Sequence, residues 1–418
     1  MDRAKTGSRL TSEPDQVRPA SARPKILVLC PDLPYPIYAG GHMRMASILE
    51  AMTRFASVYV ACVAAEAPET TRTWCDKLHI HLDSVAPPRS SRLQAWKERL
   101  EMLWKRDNLS HCRELQRRFD QIFAHVSPDL VWLETPYLIR YALPWKARAA
   151  LVVDFWGTSE GPARIMAAAS GYRKIFAGLR WWIARGGELR YVPKINDIVC
   201  VSQRDADYFQ DIAPQSRVQP IPVGIIKSGT NGTLSTGAGS GKESRIMMLT
   251  GDLSFQPNVD AGSYFVNEIF PRVRGKCPAA EIHLVGKNPA PELLDLAQHP
   301  GVTVKGWVPD LGREISGAAI YVLPMRLGSG FRTKLLDVFP LGKAIVTTTV
   351  GAEGLLLKHG ENCLVADSAA DFADACIELL RHPDRREKLG AAARRLALEV
   401  YTQENISRLI RQTVTRAM

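Results

Sequence analysis

Short apolar runs alternate with segments of helical spacing along the first half of the chain. The runs predict strands at 26–30, 58–63, 129–134, 150–156 and 197–202. Because these runs lack polar alternation, they are typical of strands buried on both faces of a parallel sheet. Residues 43–52 and further segments between the runs show helical spacing. The first half is therefore predicted to be a doubly wound α/β domain.

The α/β pattern stops at a polar segment and then begins again. Residues 226–243 are rich in Gly, Ser and Thr, which is typical of a flexible linker. Further strands are predicted in "RIMMLTGDLS" and at 281–287, 302–308, 319–324 and 343–348. We expect a disordered tail at 1–24, a first Rossmann-like domain at 25–225, a second at 244–400, and a helix at 401–418 that packs back toward the first domain.

Composition narrows the possible partners without choosing among them. The 418 residues carry a formal net charge of +11, which favours a nucleotide, a nucleic acid or an acidic lipid surface. We expect no signal peptide, because residues 1–24 are polar, and no membrane-spanning helix, because no apolar run reaches ~18 residues. The eight cysteines form no C-x-x-C pair. They are expected to be reduced thiols of a cytoplasmic protein.

Small and polar loops follow the strands of the second half, at the edge where open α/β sheets bind ligands. The stretch "RLGSGFRTKLLDVFPLGKAIVTT" at 326–348 contains such a loop before a predicted helix. The N–H groups of residues 329–331 could hold a diphosphate, and Arg332 and Lys334 could neutralise it. Asp337, about one turn into the helix, could accept hydrogen bonds from a ribose diol. The predicted ligand is a nucleotide diphosphate.

The second half resembles the donor-binding domain of family 4 retaining glycosyltransferases. The resemblance covers residues 246–356, from "TGDLSFQPNVDA" through "LVGKNP", "KGWVPDL" and "RLGSGFRTKLLDVF" to "GKAIVTTTVGAEGL". In the first half, "PYPIYAGGHMR" and "VVDFWGTS" resemble the bacterial sugar transferases associated with exopolysaccharide and protein-sorting clusters. The resemblance implies the GT-B fold, in which two doubly wound Rossmann-like domains face each other across a cleft.

The resemblance also implies roles for single residues. The implied donor-binding residues of the second domain are Gly251, Gly286 and Lys287 near the phosphates and nucleotide, Trp307 and Val308 at the base edge, Ser329, Gly330 and Phe331 at phosphate and sugar, and Asp337 at the ribose. Gly40 and Gly41 would face the diphosphate from the first domain. Trp307 could instead be a packing residue.

Three residues are predicted to be catalytic. Arg332 and Lys334 would stabilise the charge of the leaving diphosphate. Asp154, at the end of a predicted strand, is either a residue of the cleft or a helix cap. Electrostatic positioning rather than a catalytic pair is the expected mechanism.

The sequence departs from the family pattern at several positions. The family's two glutamates, seven residues apart, correspond here to Ser329 and the shorter Asp337. Trp156 stands where the family often has a histidine, and Pro340 is expected to end or kink the helix early. These departures leave a second hypothesis open, in which the chain is a catalytically degenerate nucleotide- or glycan-binding protein.

The expected activity is transfer of a sugar from a nucleotide-diphosphate donor to a glycan or lipid-linked acceptor in bacterial surface polysaccharide synthesis. No metal or other cofactor is expected. Nucleic-acid binding rests only on the charge, without a recognised motif, and is not predicted. Residues 93–106 and 164–194 mix Trp with Arg and Lys, which is typical of helices at an anionic membrane surface. They predict peripheral contact with a membrane, unless these helices pack their Trp inward.

Overall fold

Two parallel sheets organise the residues that the structure describes, a computed structural model covering 23–86, 112–168, 171–225, 244–328 and 330–418. The first sheet has the strands β1 Lys25–Cys30, β2 Ser57–Val63, β3 His81–Val85, β4 Leu130–Leu133, β5 Ala150–Phe155, β6 Asp197–Cys200 and β7 Arg217–Pro220. The second has β8 Ile246–Thr250, β9 Glu281–Val285, β10 Val302–Lys305, β11 Ile320–Leu323, β12 Ala344–Thr347 and β13 Leu364–Val365.

Helices connect the strands within each sheet. In the first domain they are α1 Gly40–Met52, α2 Glu69–Lys77, α3 Arg113–Val126, α4 Ile139–Ala142, α5 Glu160–Ala168, α6 Gly171–Tyr191 and α7 Gln203–Ile212. After β8 they are α8 Gln256–Tyr264, α9 Phe270–Lys276, α10 Pro291–Asp295, α11 Leu311–Gly317, α12 Leu335–Val338, α13 Ala369–Arg381, α14 Pro383–Val400 and α15 Gln403–Ala417.

Both sheets are doubly wound, as the sequence predicts. Their strand orders are β3-β2-β1-β4-β5-β6-β7 and β10-β9-β8-β11-β12-β13. In each sheet the order reverses beside the first strand, between β1 and β4 or between β8 and β11. In such sheets ligands bind outside the carboxyl ends of the strands at the point of reversal. The loops after β1, β4, β8 and β11 are therefore the first places to look for a site.

The alternation of side chains explains why β1 has no polar position after Lys25. Ile26 and Val28 enter one hydrophobic core with α1, whereas Leu27 and Leu29 enter another with α3. Both faces of this strand are dry, so apolar residues occupy successive positions. Two strands that the sequence analysis did not predict, β7 and β13, are short segments without such a run.

The C-terminal helix returns to the first domain. Tyr401 stacks on Phe339 in the core of the second domain. Beyond it, Ile406 and Ile410 of α15 are fully buried in the core that contains α1 and β1. Burying each such side chain contributes about 1.5–3 kcal/mol, so α15 fastens the two domains together. The predicted linker at 226–243 and residues 1–22 of the predicted tail lie outside the described residues.

Candidate functional site

A loop rich in glycine leaves β11 and leads to α12. Gly328 and Gly330 have φ values of +105° and +84°, a region that side chains with a Cβ rarely adopt. A Cβ on Gly328 would lie 3.3 Å from a terminal nitrogen of Arg332, so the loop folds closely over that guanidinium. Ser329 lies outside the described residues. The loop thus brings backbone close to a buried cation.

Lys334 is partly buried at the end of this loop and has neutral partners. Its Nζ donates to Asn258 Oδ1 at 2.6 Å and to the carbonyl oxygen of Thr250 at 3.1 Å. Among the described residues no carboxylate lies within ion-pair distance of it. Burial, and then the nearby Arg332, lowers the pKa of Lys334 to about 8. An anion placed here would restore the charged form.

Arg332 is the second cation of this loop and is buried, only 8% exposed. It donates from Nε and Nη2 to the carbonyl oxygen of Val350. Burial lowers its pKa, while the carboxylate of Glu353 acts in the opposite direction. Together with Lys334 it forms a cationic cradle, the name used below for these two side chains.

The glycines after β8 and β9 make room beside the cradle. Gly251 has a φ of +143°, and a Cβ there would lie 2.8 Å from Asn258 Nδ2 and 3.1 Å from Lys334 Nζ. Gly286 has a φ of +157°, and its Cβ would overlap the Gly251 carbonyl oxygen at 1.7 Å. Both positions therefore require glycine.

Asp337 is half-buried, and its carboxylate has no hydrogen-bond partner within the described part of the chain. Burial raises the pKa of this carboxyl to about 6. The helix predicted around it is short, since α12 has four residues and a 3-10 turn at Phe339–Leu341 follows. Pro340 ends the helix as predicted. A helix dipole is therefore not what attracts an anion here.

The first domain approaches the cradle from the opposite side. A Cβ on Gly40 would lie 3.4 Å from the side chain of Thr333, the residue between Arg332 and Lys334. A Cβ on Gly41 would lie 2.6 Å from the ring of Trp156. The loop that begins α1 and the loop that precedes α12 therefore face each other across the cleft.

Asp154 requires a correction. Its carboxylate is fully buried and accepts from Nε and Nη2 of Arg44 at 2.9 and 2.8 Å. Arg44 is 1% exposed and also donates to the carbonyl oxygen of Pro222. Because both carboxylate oxygens are occupied inside the domain, Asp154 neither lines the cleft nor caps a helix. It positions α1 against β5 instead.

The other predicted donor-binding residues differ in exposure. Trp307 is 69% exposed, so it is not a packing residue, whereas Val308 packs against the core of the second domain. Lys287 Nζ lies 3.7 Å from Asp252 at the surface. Phe331 points away from the cleft and meets the ring of Tyr401 at 6.0 Å. Only its backbone is available for a ligand.

Two functional candidates, Asn258 and Glu353, escaped the sequence analysis. Asn258 holds Lys334, although only its place in "FQPN" after a predicted strand could have indicated it. Glu353 accepts from Arg164 and from Arg204 of the first domain, both at 2.7 Å. These bonds join α5 and α7 to the loop after β12. No local pattern predicts a contact between residues so far apart.

Two negative findings concern the described ranges only. They contain no group of three His, Cys, Asp or Glu side chains that could hold a metal ion. No helix among them is long and apolar enough to cross a membrane.

Comparison with known families identifies the second domain. Residues 244–382 match the family model described as glycosyl transferases group 1. The 44.6 kDa protein in the cps region of Klebsiella pneumoniae is 23% identical over 168 residues, which are 38% of this chain and 43% of that protein. The match therefore spans less than half of this curated relative.

Solved structures resemble nearly the whole chain. HepE of Anabaena, in complex with UDP and glucose, has a TM-score of 0.63 and 14% identity, covering 94% of this chain and 100% of that one. Sucrose-phosphate synthase of Thermosynechococcus elongatus has a TM-score of 0.66 and 12% identity, covering 94% and 98%. WaaG, a glycosyltransferase involved in lipopolysaccharide biosynthesis, has a TM-score of 0.57 and 14% identity, covering 92% and 99%. At such identities the likeness concerns the fold. The chain thus has the two-domain GT-B fold, with a glycosyl transferases group 1 domain at residues 244–382.

Proposed function

We propose that this chain is a retaining glycosyltransferase of family 4. It would move a hexosyl group from a nucleotide-diphosphate sugar to a glycan or lipid-linked acceptor in bacterial surface polysaccharide synthesis. The observation that carries the proposal is Lys334, a partly buried cation with only neutral partners among the described residues, at the carboxyl edge of the second sheet. Burying a charge without a counterion is costly, so such a site favours an anionic ligand.

The comparisons support a uridine nucleotide as the first donor to test. HepE has been solved with UDP-glucose, and TarM of S. aureus with UDP. The protein from the Klebsiella cps region supports a role in surface polysaccharide synthesis.

The cradle would bind the diphosphate. Lys334 and Arg332 would neutralise the charge that develops as the sugar leaves, each through charge-assisted hydrogen bonds of about 1.5–3 kcal/mol. Gly251, Gly286 and Gly330 would let the backbone approach the phosphates, with Gly40 and Gly41 opposite. Asp337 would accept hydrogen bonds from the ribose hydroxyls.

The proposal also assigns residues to the nucleotide base and describes the transfer of the sugar. The exposed Trp307, with Val308 and Lys287, would flank the base and nucleotide. The acceptor oxygen would bond to the anomeric carbon on the face that the diphosphate leaves, and the departing phosphate oxygen would take the acceptor proton. The proposal assigns no metal to this step.

The degenerate binding protein remains a second candidate because Ser329 stands where the family has its first glutamate. Such a protein would bind the nucleotide through the same cradle without turning the sugar over. Turnover therefore separates the two candidates.

The test is nucleotide release from a panel of UDP-, GDP- and ADP-sugars, with the product anomer determined by NMR. We expect release from one base class, retention of configuration, and a loss of about 10–100-fold in Lys334→Gln. Lys343→Gln is the matched control, because Lys343 is also partly buried and bonded to the carbonyl oxygen of Ala318, away from the cradle.

Each outcome has a distinct meaning. Nucleotide binding without release would favour the degenerate protein. Inversion of the anomeric centre would contradict the retaining mechanism. Absence of binding with every nucleotide, or equal losses in Lys334→Gln and Lys343→Gln, would overturn the donor site.

A further inference from the structure

Helix α6 carries an apolar face that the described residues leave uncovered. Ile175 and Phe176 are 74% and 64% exposed, and Leu179 is 37% exposed. At 3.6 residues per turn these three side chains fall within an arc of roughly 100°. Leu189, 53% exposed, lies on the same side three to four turns later. The face extends about 21 Å along the helix, at 1.5 Å per residue.

The exposed charged side chains that the structure describes on α6 are all cationic. Its sequence "GYRKIFAGLRWWIARGGELRY" has five Arg or Lys residues and a single acid, Glu188. That acid is turned inward, where it accepts from the backbone N–H of Ser159 at 2.7 Å and from the hydroxyl of Tyr208. Lys174 and Arg180 are exposed, and neither forms an ion pair within the described part of the chain. Helical spacing places them on opposite flanks of the apolar face.

We propose that this face of α6 docks on an anionic lipid bilayer. A helix with apolar side chains between cations lies in the plane of the interface, with the apolar face buried about 5–10 Å. Charge complementarity favours a bilayer over a protein partner, since an exposed cation lies on each flank of the face, Lys174 on one and Arg180 on the other. Phe176 and Ile175 would enter the acyl boundary while Lys174 and Arg180 meet the phosphates of the headgroups.

Helix α6 lies near the cleft, so docking of α6 on a bilayer would bring the cleft close to the membrane. α6 packs on α5, where a Cβ on Gly178 would lie 3.1 Å from the sulfur of Met166. From α5, Arg164 donates to Glu353 of the second domain at 2.7 Å. The hairpin of α5 and α6 therefore stands at the rim of the cleft. A docked α6 would bring the cleft next to the headgroups, where a lipid-linked acceptor is held. This consequence rests on the proposed function, whereas the docking itself does not.

The experiment is sedimentation of the full chain with phosphatidylcholine vesicles, with and without phosphatidylglycerol. The wild-type chain should bind the anionic vesicles and bind the neutral ones weakly. Lys174→Ala/Arg180→Ala should reduce binding to anionic vesicles by about 30-fold, because each cation near an anionic surface contributes a factor of about five. Ile175→Glu/Phe176→Glu should abolish it.

Leu398→Glu is the matched control, because Leu398 is 56% exposed on α14 of the second domain and lies outside the α6 face. It should bind vesicles as the wild-type chain does. Binding of UDP is measured for every variant, which reports both folding and the donor site. Vesicle binding that is absent in wild type, or unaffected by both α6 variants, overturns the docking surface even where UDP binds normally. Failure of the wild-type chain to bind UDP, GDP or ADP, with intact vesicle binding, contradicts the proposed function alone.

Sedimentation velocity without vesicles addresses a second copy of the chain as the occupant. We expect a monomer. A dimer that Ile175→Glu/Phe176→Glu dissociates, together with no vesicle binding, would overturn the proposal in favour of self-association.

Discussion

Arg44 and Lys334 are cations at the carboxyl edges of the two sheets, the first buried and the second partly buried, and they differ in what surrounds them. Arg44 shares two hydrogen bonds with Asp154, so the first domain supplies its own counterion. Lys334 contacts a carbonyl oxygen and an amide oxygen. A buried ion pair whose hydrogen bonds are complete is a structural element, whereas a buried cation with neutral partners is poised to accept an anion.

A third ionisable side chain lies beside the pair of Arg44 and Asp154. Glu134, at the end of β4, is fully buried near Asp154 and Arg44. Burial, and then the Asp154 carboxylate, raises the pKa of Glu134 well above its usual range. Both effects favour the neutral form of Glu134, so the paired Arg44 and Asp154 are the charged groups of this cluster. The first domain thus supplies a counterion for its buried cation, whereas the described residues supply none for Lys334.

The largest expected effect comes from removing Arg44, the partner of the buried Asp154. Arg44→Met leaves Asp154 buried without its partner, which should lower the free energy of unfolding by about 3–5 kcal/mol in urea titrations. Arg54→Met is the control, because Arg54 pairs with Glu404 at 3.2 Å on the surface and should cost at most about 1 kcal/mol. Equal losses in the two variants would remove the structural role assigned to Asp154.

Unlike Arg44→Met, Lys334→Gln should not lower the stability of the unliganded protein. Because the folded state lowers the pKa of Lys334 to about 8, the charged form costs stability at pH 7, and that cost disappears only as the pH rises from about 8 to 10.5. The apo variant should therefore unfold at the wild-type temperature or above it. In the presence of UDP at ~100 times the wild-type Kd, wild type gains about 2.7 kcal/mol and the variant gains little. A large loss of apo stability would contradict the contrast with Arg44.

Asp337→Asn should raise the thermal stability and weaken the binding of UDP. The folded state raises the pKa of Asp337 to about 6, so stability falls as the pH rises from about 4 to 6, and the cost persists above pH 6. The variant should melt about 2–4 °C higher than wild type at pH 7 and bind UDP about 10-fold more weakly. Scanning calorimetry and titration calorimetry measure the two effects. A variant that binds UDP normally would exclude the ribose contact.

The smallest expected effect concerns Glu353, whose carboxylate acts on Arg332 of the cradle. Glu353→Gln removes its ion pairs with Arg164 and Arg204, which are partly exposed. The melting temperature should fall by at most about 4 °C, and less at high salt, because screening weakens such pairs. The affinity for UDP should stay within about fivefold of wild type. A larger loss of affinity would make Glu353 part of the nucleotide site.

The sequence predicts those structural features that depend on residues close together in the chain. The apolar run of β1, the glycines of the 326–334 loop and the helix end at Pro340 all act through local geometry, and each is present in the structure. Asp154 was assigned to the cleft because its partner, Arg44, is 110 residues away. Asn258 is 76 residues from Lys334 and was missed for the same reason. Whether a buried charge is paired depends on tertiary contacts that no sequence window contains.

The most direct test of the cradle is the proton uptake on UDP binding at pH 8, obtained by titration calorimetry in two buffers with different enthalpies of ionisation. With a pKa of about 8, Lys334 is about half protonated before binding and becomes fully protonated beside the diphosphate. Wild type should therefore take up about half a proton, and Lys334→Gln none. No uptake in wild type, or the same uptake in the variant, would contradict the assignment of Lys334 as the cation that receives the diphosphate.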